Sequence, residues 1–153
     1  MRIAVGSDHG GYPLNKRVVA ELQNAGHDVL DFGTDDGTVP DDYPDYARAV
    51  GEAIRRGDAE RGILLCGSGV GVTVAANKFA GVRACLCHDT YSAHQGVEHD
   101  NINVLCIGAR IVGVELAIEL VRAFVGARFS GEERHCRRLA KVAAIEQEAH
   151  AAD

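Results

Sequence analysis

Residues 62–71 read Gly-Ile-Leu-Leu-Cys-Gly-Ser-Gly-Val-Gly, and this stretch decides the fold. Its first half, residues 62–66, is a continuous apolar run, which is typical of a strand buried on both faces of a parallel sheet. Its second half is rich in glycine and leads directly into apolar residues at helical spacing between Val72 and Phe79. The stretch therefore predicts a strand, a tight loop and a helix in that order, which is the repeating unit of an α/β protein.

The same alternation of short apolar runs and longer amphipathic stretches extends along the whole chain. Apolar runs predict strands over residues 3–5, 29–32, 62–66, 82–87 and 103–108. Helical periodicity predicts one helix from Pro13 to Gly26 and further helices over about 45–56, 72–79, 91–96, 114–125 and 132–148. We expect an α/β fold, a three-layer α/β/α Rossmann-like sandwich with a central parallel sheet of about five strands. The 153 residues fit a single domain, 1–153.

Composition and charge exclude several classes of protein. With 46% hydrophobic and 25% charged residues, the chain has the composition of a globular protein. Its net charge of −6 argues against a nucleic-acid partner. No apolar stretch approaches the roughly 18 residues of a membrane span, and the N-terminal run is too short for a signal peptide. The number of cysteines, five, is odd and fits reduced thiols better than a set of disulfides. Together with the lack of a membrane span and of a signal peptide, this predicts a cytoplasmic protein with no membrane partner.

Polar and reactive residues follow the predicted strands, at the points where those strands end. They are Asp8 and His9 after the first strand, Cys66 and its glycine loop at the third, His88 and Asp89 after the fourth, and Arg110 after the fifth. In an open parallel sheet, ligands bind outside the carboxyl ends of the strands. The sequence therefore predicts a ligand site formed by these loops.

Residues 67–71 form a glycine-rich loop whose backbone N–H groups can surround an anion. The loop is not a dinucleotide fingerprint, because Val72 occupies the position of the last glycine, and it lacks the Gly-Lys-Ser/Thr of a P-loop. An esterase elbow would need glycine in place of Cys66, and Val72 also removes the arginine that a cysteine phosphatase would need. An anion site and a plain strand-to-helix turn both remain open at this point.

Cys66 ends the third predicted strand at the start of a helix, where the helix dipole and aligned amides lower the pKa of a thiol. Such a thiolate can act as a base or as a nucleophile. An apolar-flanked cysteine is more commonly a small core residue, which is what we expect for Cys85, Cys87 and Cys106. The Cys-x-Cys-His sequence at 85–88 lacks a second pair of ligands, so we expect no zinc site.

Two further segments carry groups suited to proton transfer and phosphate binding. His99 lies in a polar segment without apolar periodicity, where an imidazole can move protons near neutral pH. Arg134 and Arg138 lie one helical turn apart at the start of the last predicted helix, so both guanidinium groups can bind one phosphate. A solvated histidine and ordinary surface charge are the alternative interpretations.

Several motifs extend in order over nearly the whole chain. They are Gly-Ser-Asp-His-Gly-Gly at 6–11, Asp-Tyr-Pro at 42–44, Cys-Gly-Ser-Gly-Val-Gly at 66–71, Ala-Ala-Asn-Lys-Phe-Ala-Gly-Val-Arg-Ala at 75–84, Tyr-Ser-Ala at 91–93, His99, Asn-Val-Leu-Cys-Ile-Gly-Ala-Arg at 103–110 and Arg-His-x-x-Arg at 134–138. In these motifs and their spacing the chain resembles the RpiB/LacAB family of sugar-phosphate isomerases. The resemblance implies an aldose–ketose isomerase that opens the sugar ring and moves a proton between C1 and C2 through a cis-enediolate. It implies no metal and no other cofactor.

The resemblance also implies roles for residues that match the family's motifs. Cys66 would take the C2 proton, and His99 would help to open the furanose ring. Backbone N–H groups of the glycine loop would hold the enediolate oxygens; the loop residues are Gly67, Ser68, Gly69, Val70 and Gly71. Ser68 stands where many relatives have threonine and is the third candidate catalytic residue. The implied substrate-binding residues are Asp8 and Asp100 for the sugar and His9, Arg110, Arg134 and Arg138 for the phosphate. Asp100 stands where relatives commonly have asparagine, which leaves the recognition of sugar hydroxyls open.

The resemblance further implies a homodimer whose active sites draw on both chains, with the C-terminal helix packed on the partner subunit and a tetramer left open. Ribose 5-phosphate and ribulose 5-phosphate are the expected substrate and product. Allose 6-phosphate, galactose 6-phosphate and erythrose 4-phosphate are the alternative sugars for the same chemistry. The alternative of another class is a module that binds a sugar phosphate without turning it over.

Overall fold

The computed structural model describes residues 1–151 and contains, within that range, five strands and six helices. The strands are β1 (Arg2–Ser7), β2 (Asp28–Asp31), β3 (Arg61–Cys66), β4 (Ala84–Leu86) and β5 (Val104–Gly108). The helices are α1 (Tyr12–Asn24), α2 (Tyr43–Arg56), α3 (Val70–Ala76), α4 (Thr90–Asp100), α5 (Val114–Gly126) and α6 (Glu133–Ala151). Strands and helices alternate as far as α5, as the apolar runs predict.

The strands form one parallel sheet in the order β2-β1-β3-β5-β4. Because alternate side chains of a strand point to opposite faces, each central strand contributes to two hydrophobic clusters. On one face Ile63 and Leu65 pack with α1, α4 and α5, and on the other Leu64 and Cys66 pack with α2 and α3. The predicted three-layer α/β/α sandwich with a parallel five-stranded sheet is confirmed.

The connections around β1 determine where a ligand can bind. The chain passes from β1 to β2 through α1 on one face of the sheet, and from β2 to β3 through α2 on the opposite face. The strands β2 and β3 therefore flank β1 on its two sides, which opens a crevice at the carboxyl ends of β1 and β3. Asp8 follows β1 and Cys66 ends β3, so both residues lie at this crevice.

Several helix boundaries differ from those that the sequence predicts, and α3 ends at Ala76, three residues early. Helix α2 begins at Tyr43, so Pro44 lies in its first turn, where the missing N–H has no helical partner to lose. Helix α4 continues to Asp100 instead of ending near residue 96. His99 therefore lies in the last turn of a helix. The lack of apolar periodicity around it indicates an irregular polar segment, and that prediction is wrong.

The edge strand β4 is shorter than its predicted range of 82–87. The side chain of Asn77 accepts a hydrogen bond from Ala84 N at 2.8 Å and donates one to Ala84 O at 2.9 Å. The side chain of Asn103 accepts a hydrogen bond from Arg83 N at 2.8 Å. Side-chain amides thus take the place of strand partners at the beginning of β4.

Helix α6 lies outside the two hydrophobic clusters. It exposes 52% of Val142 and 67% of Ile145. Its first turns contact the end of α4 through His135, and further along Glu146 accepts a hydrogen bond from Gly81 N at 3.1 Å. Within residues 1–151 no helix, α6 included, combines the length and the hydrophobicity that a bilayer span requires.

Candidate active site

The start of α1 approaches the carboxyl end of β3 so closely that only glycine fits at residue 11. Asp8 N donates to Leu65 O at 3.3 Å, and Asp8 Oδ1 accepts from Gly11 N at 2.9 Å. A Cβ on Gly11 would overlap the carbonyl of Leu65, so a larger residue would push the start of α1 away from β3. Asp8 is only 6% exposed and is fixed within the crevice, where the sequence predicts it.

Cys66 ends β3 with its sulfur against the glycine loop. Gly69 N donates a hydrogen bond to Cys66 Sγ at 3.0 Å, and such a bond stabilises a sulfur that carries negative charge. Gly69 has a φ of +78°, in the left-handed region that favours glycine. Cys66 is 5% exposed, so its sulfur is largely shielded from bulk water.

The rest of the glycine loop is ordered by contacts of its own. Ser68 is exposed, and its Oγ accepts a hydrogen bond from Val70 N at 3.2 Å. Val70 is the first residue of α3 and is 51% exposed. A Cβ on Gly71 would lie 2.8 Å from Cζ of Tyr43, which belongs to the Asp-Tyr-Pro motif. The predicted strand, loop and helix are all present.

Arg110 lies beside the same loop. Ala109 N donates to Cys66 O at 2.8 Å and Arg110 N donates to Gly67 O at 3.0 Å, so the segment after β5 is docked on the glycine loop. A methyl group on Gly67 would lie 3.3 Å from Cζ of Arg110. The guanidinium group is therefore placed to attract an anion held by the loop. The structure brings Asp8, Cys66 and Arg110 together, as the sequence predicts.

His9 is held by an aspartate that the sequence patterns did not single out. Asp41 Oδ1 accepts a hydrogen bond from His9 N at 2.9 Å and lies 2.7 Å from His9 Nδ1. The hydroxyl of Tyr46 donates to Asp41 Oδ2 at 2.6 Å. The signal that could have found Asp41 is its place in an Asp-rich loop that follows β2, at the edge of the sheet where ligands bind.

The Asp41 carboxyl group is ionised at neutral pH. Burial raises its pKa, but hydrogen bonds from Tyr46, from the backbone and ring of His9 and from Thr34 outweigh burial and hold the pKa at about 2. The hydrogen bond between Tyr46 and Asp41 also raises the pKa of Tyr46. Asp8, His9 and Asp41 each place one ligand atom within 4.8 Å of the others, so these three groups could hold a metal ion.

His99 belongs to a second cluster of polar side chains. Its ring stacks on that of His135, with centroids 4.1 Å apart, and its Nδ1 lies 2.8 Å from Gln95 Nε2. His135 is 1% exposed, and its Nδ1 lies 2.8 Å from Ser130 Oγ. Burial lowers the pKa of His135, and the nearby His99 and Arg134 lower it further. No pattern in the sequence indicates Gln95 or His135 as a partner of His99.

His99 and Cys66 lie at opposite edges of the sheet within one chain. Cys66 is at the carboxyl edge, whereas α4 runs back across the sheet and ends shortly before β5 begins at Val104. A helix of 11 residues spans about 16 Å, so α4 carries His99 to the amino edge. The cluster at that edge also contains the exposed residues Asp100, Arg134 and Arg138. A single chain therefore does not bring these four residues to the crevice.

The other cysteines lie on β4 or directly after it, on β5 and at the surface. Cys106 is fully buried, and burial raises its pKa to about 12. Cys87 is 1% exposed, while Cys85 is partly buried, and the neighbouring Cys87 thiol lowers the pKa of Cys85. Cys136 is exposed and donates to Gly131 O at 3.5 Å. Cys87 and Cys106 are confirmed as core residues, and Cys85 is so only in part.

Comparison with known proteins agrees with this arrangement. A sequence profile of the family described as Ribose/Galactose Isomerase matches residues 3–142. Ribose-5-phosphate isomerase B of Escherichia coli (strain K12) is 46% identical over 146 residues, which are 95% of this chain and 97% of that protein. D-erythrulose-4-phosphate isomerase of Pectobacterium atrosepticum is 41% identical over 131 residues, 86% of each protein.

Solved structures agree equally well. Ribose-5-phosphate isomerase B of Clostridium thermocellum superposes with a TM-score of 0.94 at 42% identity, over 97% of this chain and 99% of that chain. The Mycoplasma genitalium protein of the same name, solved with bound ribulose-5-phosphate, superposes with a TM-score of 0.90 at 40% identity, over 96% of this chain and 97% of that one. The chain therefore belongs to the ribose/galactose isomerase family, the RpiB/LacAB family that its motifs indicate.

Proposed function

We propose that the protein is an aldose–ketose isomerase that interconverts ribose 5-phosphate and ribulose 5-phosphate. The observation that carries the proposal is the position of Cys66 at the switch point of the sheet, with its sulfur hydrogen-bonded to Gly69 N. The E. coli relative is named for ribose 5-phosphate, and the M. genitalium relative binds ribulose-5-phosphate, which supports the choice of substrate.

In the direction from aldose to ketose, the thiolate of Cys66 removes the proton from C2 of the open-chain sugar and becomes a thiol. The electron pair moves toward the C1 carbonyl and forms a cis-enediolate, whose negative oxygen is stabilised by N–H groups of residues 67–71. The thiol returns a proton to C1, and the O2 proton moves to O1 as the C2 carbonyl forms. C1 is reduced as C2 is oxidised, so the reaction needs no external oxidant or reductant.

The phosphate would be bound by His9 and Arg110 of one chain together with Arg134 and Arg138 of the partner subunit. Several cations on one phosphate supply binding energy that is remote from the reacting carbons and orients them. His99 of the partner subunit would open the furanose ring by proton transfer at the ring oxygen. Asp8 and the partner subunit's Asp100 would bind sugar hydroxyls.

Two observations favour a site shared by two chains. Helix α4, about 16 Å long, carries His99 to the amino edge of the sheet, away from Cys66 at the carboxyl edge, so one chain cannot apply both to the same sugar. Helix α6 leaves Val142 and Ile145 largely exposed, which is the pattern of a helix that packs on a partner. We therefore propose a homodimer in which α6 packs on the partner subunit.

Replacing Cys66 by alanine tests the chemistry. The loss of a base should reduce kcat by about 10²–10⁴-fold. Binding of ribose 5-phosphate, measured by calorimetry, should stay nearly unchanged because the phosphate ligands remain. Cys85→Ala, which removes a partly buried thiol from the edge strand β4 and replaces none of the proposed substrate-binding residues, is the matched control and should keep full activity. A Cys66→Ala variant that still isomerises the sugar would exclude the proposed mechanism.

Mixing two inactive variants tests the shared site. Chains carrying Cys66→Ala and chains carrying His99→Gln each lack one group, but a mixed dimer contains one site with both groups intact. Unfolding and refolding the two variants together should therefore restore activity that neither shows alone. No recovery in a mixture that contains mixed dimers by mass spectrometry would show that both groups act from one chain.

The alternative sugars are separated by comparing kcat/KM for ribose 5-phosphate, allose 6-phosphate, galactose 6-phosphate and erythrose 4-phosphate. The P. atrosepticum relative, named for a four-carbon sugar phosphate, makes erythrose 4-phosphate the specific second candidate. A tenfold preference for another sugar would reassign the substrate and leave the mechanism in place. Binding of all four sugars without turnover would instead support the alternative of a binding module.

A further inference from the structure

One carboxylate holds His9 at two points. Asp41 Oδ1 accepts a hydrogen bond from the backbone N–H of His9 at 2.9 Å and lies 2.7 Å from Nδ1 of its ring. The second oxygen, Oδ2, accepts a hydrogen bond from the hydroxyl of Tyr46 at 2.6 Å. The backbone, the ring and the supporting loop are thus joined through a single side chain.

The contact with Asp41 decides which ring nitrogen of His9 carries a proton. Both oxygens of Asp41 already accept hydrogen bonds, Oδ1 from His9 N and Oδ2 from the hydroxyl of Tyr46, so the group acts as a carboxylate and Nδ1 must be the donor. The backbone N–H of Asp41 also lies 3.3 Å from Nδ1, but a nitrogen that carries a hydrogen cannot accept there. The shorter contact, at 2.7 Å, determines the tautomer. Among residues 1–151, Nε2 of His9 makes no hydrogen bond and is left for a ligand.

We propose that Asp41 is a positioning residue for His9, which holds Nδ1–H so that Nε2 remains for an oxygen of the substrate's phosphate. This inference rests on the proposed role of His9 in phosphate binding. With Nδ1–H committed to Asp41, the ring can donate to the phosphate only when Nε2 also carries a proton. The ring is then a cation between two anions, and its hydrogen bonds at both nitrogens are charge-assisted.

The loop that carries Asp41 is itself tied to the sheet. Thr34 N donates to Ser7 O at 2.9 Å, and Asp36 Oδ1 accepts from Thr38 N at 2.8 Å. The loop borders an open cavity of about 470 Å³, whose lining includes Asp41 and Tyr46. These contacts limit the positions that the Asp41 carboxylate can take relative to His9.

The proton on His9 provides a test that does not depend on catalysis. In the protein labelled with ¹⁵N-histidine, the ring signals of His9, assigned by their loss in His9→Gln, should show Nδ1 protonated and Nε2 unprotonated in the neutral ring. In Asp41→Asn the side-chain amide can donate as well as accept, so the population with Nε2 protonated should rise. Asp35→Asn, which removes an exposed carboxylate from the same loop, is the matched control and should leave the signals unchanged. An unchanged tautomer in Asp41→Asn would overturn the inference.

Kinetics should show an effect on binding and not on chemistry. In Asp41→Asn we expect KM for ribose 5-phosphate and the inhibition constant of inorganic phosphate to rise together by about tenfold, the effect of one charged hydrogen bond. We expect kcat to change by less than about threefold, with Asp35→Asn equal to the wild type. If Asp41→Asn does not fold, Tyr46→Phe replaces it and should raise both constants about two- to threefold. Unchanged constants in the folded variant would overturn the inference.

The same series distinguishes this inference from the proposed function. If His9→Gln weakens phosphate binding but Asp41→Asn does not, Asp41 has no positioning role, while the proposed phosphate site stands. If His9→Gln binds phosphate as the wild type does, His9 is not a phosphate ligand. That result would overturn the inference as well, although Cys66 and the proposed isomerisation would be unaffected.

Discussion

Replacing Gly69 by alanine should destabilise the protein more than the same change at two other glycines. A φ of +78° costs an alanine about 1–2 kcal/mol. Its Cβ would also lie 2.9 Å from the carbonyl carbon of Ile107 and 3.0 Å from Gly108 N, and these backbone atoms cannot rotate away, which adds about 1–3 kcal/mol. The expected loss is about 2–5 kcal/mol, a large part of the roughly 5–15 kcal/mol that stabilises a typical domain.

Gly57 and Gly126 are the controls. Gly57 has a φ of +76° but open space around its Cβ position, so Gly57→Ala should cost only the conformational part, about 1–2 kcal/mol. Gly126 ends α5 in open space without a positive φ, and Gly126→Ala should stabilise the protein by about 0.4–1 kcal/mol. Urea unfolding followed by circular dichroism measures all three. Equal losses in Gly69→Ala and Gly57→Ala would refute the argument that backbone crowding at the glycine loop has an energetic cost.

Three further outcomes are expected. As the pH falls from about 6 toward 2, the wild type should lose about 1 kcal/mol more stability than Asp41→Asn, a figure that allows for the 20% exposure of the Asp41 side chain. The carboxyl group has an unfolded pKa of 3.8 and a folded pKa of about 2, so it stabilises the fold above the first value and loses this effect as the pH falls through the second. Equal losses of the free energy of unfolding in the two proteins, measured by urea unfolding at several pH values, would contradict this. Arg61→Met should lower the free energy of unfolding by about 2 kcal/mol, because Arg61 donates hydrogen bonds to carbonyl groups at the end of α5. The control Arg56→Met, at an exposed arginine, should cost less than about 1 kcal/mol, and similar losses in the two variants would count against a capping role for Arg61. His99→Gln should reduce kcat/KM for ribose 5-phosphate by about 10²-fold or more but reduce kcat/KM for erythrose 4-phosphate much less. The phosphate on O4 of erythrose 4-phosphate prevents furanose closure, so that sugar needs no ring opening. An equal loss on both sugars would show that His99 does not open the ring.

The fold could be predicted from the sequence because each element carries its own local signal. The apolar run at 62–66 is short, continuous and followed by glycine, and such a run fits a buried parallel strand better than any other structure. The boundaries were less accurate where tertiary contacts determine them. The side chains of Asn77 and Asn103 shorten β4, and no periodic pattern records such contacts.

The candidate site was predictable only where it follows the strands. Asp8, Cys66 and Arg110 come directly after buried strands, and the topology of a parallel sheet brings strand ends together. The contact between His9 and Asp41 joins residues 32 positions apart through an aperiodic loop, so no pattern within either segment reveals it. The separation of His99 from Cys66 likewise follows from the length and direction of α4. The sequence pattern predicts only residues 91–96 of this helix and so does not show that it reaches His99.

The amide of Asn77 has a consequence for the solubility of the protein. A bare edge strand offers its N–H and C=O groups to any extended segment of another molecule and so invites open-ended growth of the sheet. Here one side chain binds both the N–H and the C=O of Ala84 on the outer side of β4, as an additional strand would. A single asparagine thereby blocks cross-molecular pairing at the first residue of the shortest strand of the sheet, a protective role that assays of catalysis do not detect.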